Sequence, residues 1–523
     1  MQYKPKDEAR KVIPRWRILR GTPTPELLSS TNKNKIIPSY DKQEVLNANN
    51  NWIKHRDLLT ASELISFGLV YGKTTATGDA AAFVIEQKTA TTALRDLASS
   101  YLKKSPESQI AESTAEQLTA KNIYSNLATI KKALYNNPRN AILYVEAARM
   151  HASLGQTESA KQKLRSALAI APTSRFVLRS ATRFYIHNND ITEAQFILRD
   201  IPESDPWLMA ANLSVTDLAD GKQKQYKQAK RLMNSDISPT QLTELASSLA
   251  TLELSNGNKS RAKKYFKLSA IGANENTVAQ LRWAENSISL EFDKSLLRTE
   301  LSFEARTKYA EANEDWEQAV SNCKQWLLDE PFAIRAAKIG SFLCAEYLTD
   351  FKQAQWFIDY GLQANPNDAG LLNDLAYCLA MTGKVNDAEE AYNKALLYVE
   401  SEDKDSVLEA TKGLIQFRQH LYEKGASLYE SAINKAMELE QYDNAQRALI
   451  HWILEEINRG CILDASFLER VNGLFSDKKV YKPAAKIVFD KFLLPRMVST
   501  KYKKQYINEK NALENINLDM FKK

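Results

Sequence analysis

The stretch FGLVYGKTTATGD, beginning at Phe67, contains Gly72-Lys73-Thr74, the residue order that closes a phosphate-binding loop. Such a loop needs another glycine five places before Gly72, where its backbone can approach a nucleotide phosphate. That place holds Phe67, and Gly68 stands one residue too near. The preceding ASELISFGLVY has the apolar spacing of a helix rather than of a strand. Gly72 therefore reads as a helix C-cap, and no nucleotide is expected there.

Other chemistry-bearing residues are scattered. His55, His151, His187, His420 and His451 share no ligand spacing with one another or with a cysteine. The four cysteines form no CxxC pair, so neither a zinc site nor a disulfide framework is expected. Cys344 and Cys378 are 34 residues apart and read as buried thiols on neighbouring helices. Glu389-Glu390 and Glu455-Glu456 are adjacent on helices and point apart, which suits solvated faces. GxSxG and HExxH are absent. No catalytic residue, cofactor or metal is expected. An enzyme whose site is assembled from scattered helices is the remaining catalytic alternative.

The elements that would position these residues are helices. Gly 16 and Pro 15 among 523 residues leave few breakers in a chain that is 44% apolar. No apolar core of a signal peptide follows the basic start, and no run of about 18 apolar residues occurs. The expected location is the cytoplasm, without membrane contact.

A repeat organises the body. In NPRNAILYVEAARMHASLGQTESAKQKLRSALAIAPTS, from Asn137, two helical patterns flank Gly155-Gln156, with small residues at Ala148 and Ala160. Ala160 is followed by Ala194, Ala229 and Ala262, and after a gap by Ala319, Ala354 and Ala388, at steps of 33–35. Pro172, Pro206, Pro331 and Pro366 each stand twelve residues past one of these alanines. This two-part pattern resembles the tetratricopeptide repeat, most clearly in AGLLNDLAYCLAMTGKVNDAEEAYNKALLYVE. The tryptophan position of that repeat holds Tyr144, Leu178 and Leu372. The resemblance implies an all-α fold, an α-solenoid of antiparallel helix pairs. The expected division is a basic arm at 1–50, a degenerate helical cap at 51–130, the array at 131–460 and a basic helical region at 461–523. Ala262 and Ala319 are 57 apart, so an irregular insert is expected near 276–300, with an extra helix at about 276–292. Beyond Ala388 the period blurs, and Ala426 and Ala445 head helical patterns.

In the family that the chain resembles, first helices line a concave groove that takes partner peptides. The repeat register carries Arg149, Arg179 and Arg183 onto that face, then Glu304, Glu311 and Glu346, then Asn373 and Tyr377. The family's chaperone-tail clamp of Lys and Asn is not reproduced, since Val145 and Arg149 stand at one pair of its positions and Asn373 and Tyr377 at another. The arginine strip implies an acidic segment of a partner protein as ligand, or an acidic stretch of this chain itself. Reversing Arg179 and Arg183 is then expected to weaken capture without changing the melting temperature. Trp16, between Arg15 and Arg17, could anchor a partner or cap the array. The resemblance thus implies a non-enzymatic scaffold or adaptor. The alternative is a nucleic-acid-binding scaffold. Residues 1–20 carry seven Lys/Arg against two acids, and 477–523 carry twelve against five, with Tyr502 and Tyr506 among them.

Overall fold

The computed structural model describes residues 48–459, apart from 103–119 and short gaps at 72–74, 91–93, 96–97, 100–101, 137, 202, 238, 286, 300 and 400–404. Every regular element among the described residues is helical. Residues 48–55 are helical, and α1 (Leu58–Tyr71), α2 (Thr75–Glu86) and α3 (Ala120–Asn136) follow. Pairs follow: α4 (Ala141–Ser153) with α5 (Thr157–Ile170), and α6 (Arg175–His187) with the short α7 (Ile191–Ile197). Next come α8 (Pro206–Leu218) with α9 (Tyr226–Met233), and α10 (Thr243–Ser255) with α11 (Lys259–Ser269). Then α12 (Glu275–Glu285) leads to a 3-10 turn at Lys294–Arg298, α13 (Phe303–Ala312) and α14 (Trp316–Asp329). The last elements are α15 (Ile334–Phe342), continued by a π-helical turn at Leu343–Leu348, then α16 (Phe351–Ala364), α17 (Ala369–Met381) and α18 (Val385–Leu396). They end with α19 (Asp405–Arg418), α20 (Tyr422–Glu438) and α21 (Tyr442–Asn458). The fold class is an α-solenoid of antiparallel helix pairs.

One junction recurs. Residues 155, 189, 257, 314, 349, 383, 420 and 440 are left-handed, and in each case a helix begins two residues later. Three of these are glycines (Gly155, Gly257 and Gly383), for which positive φ carries no Cβ penalty. The others include Asn189 and the β-branched Thr349, for which it is uncommon. The fourth residue of the helix that follows is small. Ala160, Ala194, Ala262, Ala319, Ala354, Ala388 and Ala445 hold that place and are fully buried. Ala229 holds the same place in α9 after a longer loop, and is also fully buried. A larger side chain there would push the paired helices apart.

Three details refine the sequence expectation. Pro172, Pro331 and Pro366 follow the ends of α5, α14 and α16, but Pro206 opens α8 at its first turn. Its missing N–H has no intrahelical partner at that position, so the helix loses nothing. The extra helix near 276–292 is shorter: α12 stops at Glu285, and a 3-10 turn stands where a second helix would be. Past Ala388 the junction persists in α20, but its small residue is Gly425 rather than Ala426. A Cβ on Gly425 would lie 2.4 Å from the Phe417 ring of α19, which is why even alanine is too large there.

The chain forms two compact units. Among the described residues, the first comprises 48–314 with 325–332, and the second 315–324 with 333–459. In the first, Ala229, Leu232, Leu245 and Leu249 form the core between α9 and α10, with Tyr226 and Tyr265 packed on it. In the second, Phe357 of α16 lies against Gly340 of α15, where an added Cβ would meet its ring at 2.4 Å.

Candidate functional site

The first helices α4, α8 and α10 leave little of their surface open. In α10 every residue from Thr243 to Glu253 is buried. Polar groups on such helices must find partners within the chain.

The arginines expected on an open strip do so. Arg149 donates from Nε and Nη2 to Glu146 Oε2, one turn upstream, at 3.3 and 3.1 Å. Arg179 makes a two-pronged contact with Glu244 of α10, Nη1 to Oε2 at 2.7 Å and Nη2 to Oε1 at 3.0 Å. Glu244 also accepts from Asn274 Nδ2 at 2.8 Å. The Arg179 guanidinium lies 5.0 Å from the centre of the Trp207 ring. Beside it Arg175 Nε donates to Asp205 Oδ2 at 2.6 Å, while the other Asp205 oxygen caps α8. Arg183 is looser: its Nε is 3.7 Å from Glu330 Oε1, and its side chain keeps 20% exposure against 5% for Arg179. Arg149 and Arg179 thus face carboxylates of this chain in a buried setting, and of the three only Arg183 retains clear access to solvent.

His187 closes this end of α6. Its ring stands 5.4 Å from Phe332, edge to face. Burial, and then the Arg183 charge, push its pKa down to about 4, with Glu330 pulling the other way. It is neutral at physiological pH.

In the second unit Asn373 and Tyr377 of α17 are both buried. The Tyr377 ring meets His451 of α21 at 5.4 Å. His451 Nε2 is 3.4 Å from Glu346 Oε2, and Arg447 Nη1 is 4.0 Å from Glu346 Oε1. Arg447 also lies 5.0 Å from the Phe342 ring centre. Burial alone would raise the Glu346 carboxyl; His451 and Arg447 outweigh it and hold the group well below the usual carboxylate range. Burial and the Glu346 charge push the Tyr377 hydroxyl up. Glu346 lies in the π-helical turn that continues α15, and sequence reasoning missed its partners Arg447 and His451. Their four-residue spacing, which puts both on one face of α21, was the available signal.

Cys323, Cys344 and Cys378 are buried free thiols. The Cys344 thiol donates to Gln353 Oε1 at 3.3 Å and is pushed up by burial, with Asp350 adding to it. Among the described residues no group of three or more His, Cys, Asp or Glu could hold a metal ion. None of the described helices is long and apolar enough to cross a membrane. Arg15, Trp16, Arg17, Tyr502 and Tyr506 lie outside the described residues, as do Gly72, Lys73 and Thr74, although α1 ends at Tyr71 immediately before them.

No family model and no curated protein matches the chain. Solved structures do. The chain is similar to a human IFIT1 dimer with PPP-AAAA, at 16% identity over 77% of this chain and 96% of that one, with a TM-score of 0.34. It is similar to the APC/C hetero-tetramer Cut9-Hcn1, at 14% identity over 87% and 93%, with a TM-score of 0.37. Yeast Tom70 is similar at 13% identity over 90% and 100%, with a TM-score of 0.30. By the geometry of its own helix pairs, the chain is a helical-repeat protein.

Proposed function

We propose that the chain is a non-catalytic, tetratricopeptide-like scaffold of the cytoplasm that holds a partner protein. The observation that supports this reading is the internal pairing of Arg149 and Arg179, which the repeat register assigns to the inner face. Arg179 and Glu244 are joined across 65 residues of sequence by two hydrogen bonds, which ties α6 to α10 in a fixed relation. A surface held in this way is pre-organised, so a partner binds it without ordering it first. In this reading Arg149, Arg179, Asn373 and Tyr377 hold the inner helices in shape. Arg183, with its partial exposure and its loose contact to Glu330, meets an acidic segment of the partner. The arm around Arg15, Trp16 and Arg17 supplies a second anchor.

Affinity capture with the tagged full chain tests this. Arg183→Gln should reduce recovery of the co-purifying partner and the salt dependence of its release, with the helical signal intact. Deletion of residues 1–20 should lower recovery while leaving the helical signal intact. A partner retained equally by both variants would refute the groove-and-arm reading.

A further inference from the structure

The first unit carries a second charged surface, on the opposite members of its helix pairs. Residues 222–269 include Lys222, Lys224, Lys227, Lys230, Arg231, Lys259, Arg261, Lys263, Lys264 and Lys267. The same span holds three acids. Glu244 and Glu253 are buried, leaving Asp236 as the exposed one. Lys230 Nζ lies 3.6 Å from Glu253 Oε1 and 4.4 Å from the Tyr226 ring centre. The other nine cations are exposed and form no ion pair among the described residues. Outside the basic ends, residues 21–476 carry a net negative charge, so this is a local reversal of sign.

The two helices that carry it are neighbours. Tyr265 of α11 packs on the core formed by Ala229 and Leu232 of α9, beside Tyr226. On α11, Lys259, Lys263 and Lys267 recur every four residues, about 6 Å apart along the helix. Like charges at that spacing destabilise a helix by a few tenths of a kcal/mol per pair. Lys259 and Arg261 also occupy the first turn, which has no acidic residue and where the helix dipole disfavours cations. Glu253 offsets part of this through Lys230 and Arg261, but no ion pair among the described residues engages the lysines of α11.

We infer that the exposed faces of α9 and α11 bind the phosphodiester backbone of a nucleic acid without regard to sequence. Charge complementarity names the occupant class, and composition narrows it. Eight of the ten cations are lysines, which are depleted from protein interfaces but suit phosphates as mobile point charges. No exposed large apolar side chain stands between 222 and 269, so the face has nothing to insert into a bilayer or into a partner's pocket. Tyr226 and Tyr265 lie partly buried between the rows of charge. The inference goes beyond the protein-scaffold reading and does not depend on it.

The test titrates the full chain into a fluorescent single-stranded oligouridine at several salt concentrations. Binding should weaken linearly on a log–log plot of affinity against salt. The variant Lys259→Glu/Lys263→Glu/Lys264→Glu/Lys267→Glu should bind at least about tenfold more weakly at low salt, with the salt slope reduced by up to about 3. The four Lys→Gln changes should act in the same direction, more weakly. Lys384→Glu/Lys394→Glu, on exposed positions of the second unit, should bind as the unaltered chain does. All variants should keep the same helical signal. Absence of binding, or binding retained in the fourfold Glu variant, would overturn the inference. So would a patch-dependent preference for polyglutamate or for phosphatidylserine vesicles over the oligouridine.

Discussion

Truncating Arg179 should destabilise the first unit rather than merely alter its surface. The arginine side chain is 5% exposed and its partner Glu244 2%. Two charge-assisted hydrogen bonds at 2.7 and 3.0 Å join them. At about 1.5–3 kcal/mol each, they contribute about 3–6 kcal/mol. Removing one member of a buried pair typically costs about 3–5 kcal/mol, because the other charge stays buried without its partner. The Trp207 ring at 5.0 Å adds about 0.5–2 kcal/mol. Arg179→Ala should therefore cost about 4 kcal/mol, and charge reversal more. This replaces the sequence-based expectation that reversal leaves the melting temperature unchanged. The double change Arg179→Met/Glu244→Gln removes both charges and keeps a carbonyl to accept from Asn274 Nδ2. It should recover at least about 2 kcal/mol relative to the sum of the single changes. Urea unfolding followed by far-ultraviolet circular dichroism measures the unaltered chain, Arg179→Ala, the single changes Arg179→Met and Glu244→Gln, and the double change. A loss under about 1 kcal/mol for Arg179→Ala, or strict additivity in the double variant, would show that the pair does not hold α6 to α10.

Three further outcomes are expected. Gly340→Ala should destabilise despite the roughly 1 kcal/mol that alanine gains in a helix, because its Cβ would stand 2.4 Å from the fully buried Phe357 ring; in the Phe357→Leu background the same change should become less harmful, as read by thermal melts. Ala388→Leu should cost about 1–3 kcal/mol through overpacking at the start of α18, and an unaltered melting curve would contradict close helix contact there. His187 is neutral in the fold, with its pKa at about 4 against an ordinary 6.5. The unfolded chain therefore binds the extra proton, and this contribution is present above pH 6.5 and lost as pH falls towards 4, with a slope of up to about 1.4 kcal/mol per unit; His187→Gln should flatten stability across that window.

The sequence displayed the junctions because packing there admits few residue types. A buried position between two close helices requires alanine or glycine, and the step between such positions is the repeat. Ala160 through Ala388 could be found by counting alone. The junction of α20 was harder to see because glycine replaces alanine and the step from Ala388 to Gly425 is 37. The candidate site was legible only as a set of residues. Periodicity places Arg179 and Glu346 on first helices but says nothing of what meets them. Their partners lie 65 residues away, at Glu244, and 105 away, at His451. Nor does a helical pattern reveal burial on all sides, as in α10, since that depends on neighbours supplied by other pairs. The cations of α9 and α11 were visible in the composition all along, but the whole-chain charge of +6 concealed them behind the termini.

The π-helical turn at Leu343–Leu348 bears on how such an array drifts over evolutionary time. From the first residue of α4, α6 and α17 to the alanine of the following helix is 19 residues; from Ile334 of α15 to Ala354 it is 20. One additional residue has been taken up as a wider turn inside a helix rather than in a loop, a known use of such turns. The phase of everything downstream survives, and the junction at Thr349 and Ala354 is intact. A single extra residue is thus accommodated within α15. Distant relatives should accordingly be recognised not by a constant period but by the five-residue interval from a left-handed residue to a small one.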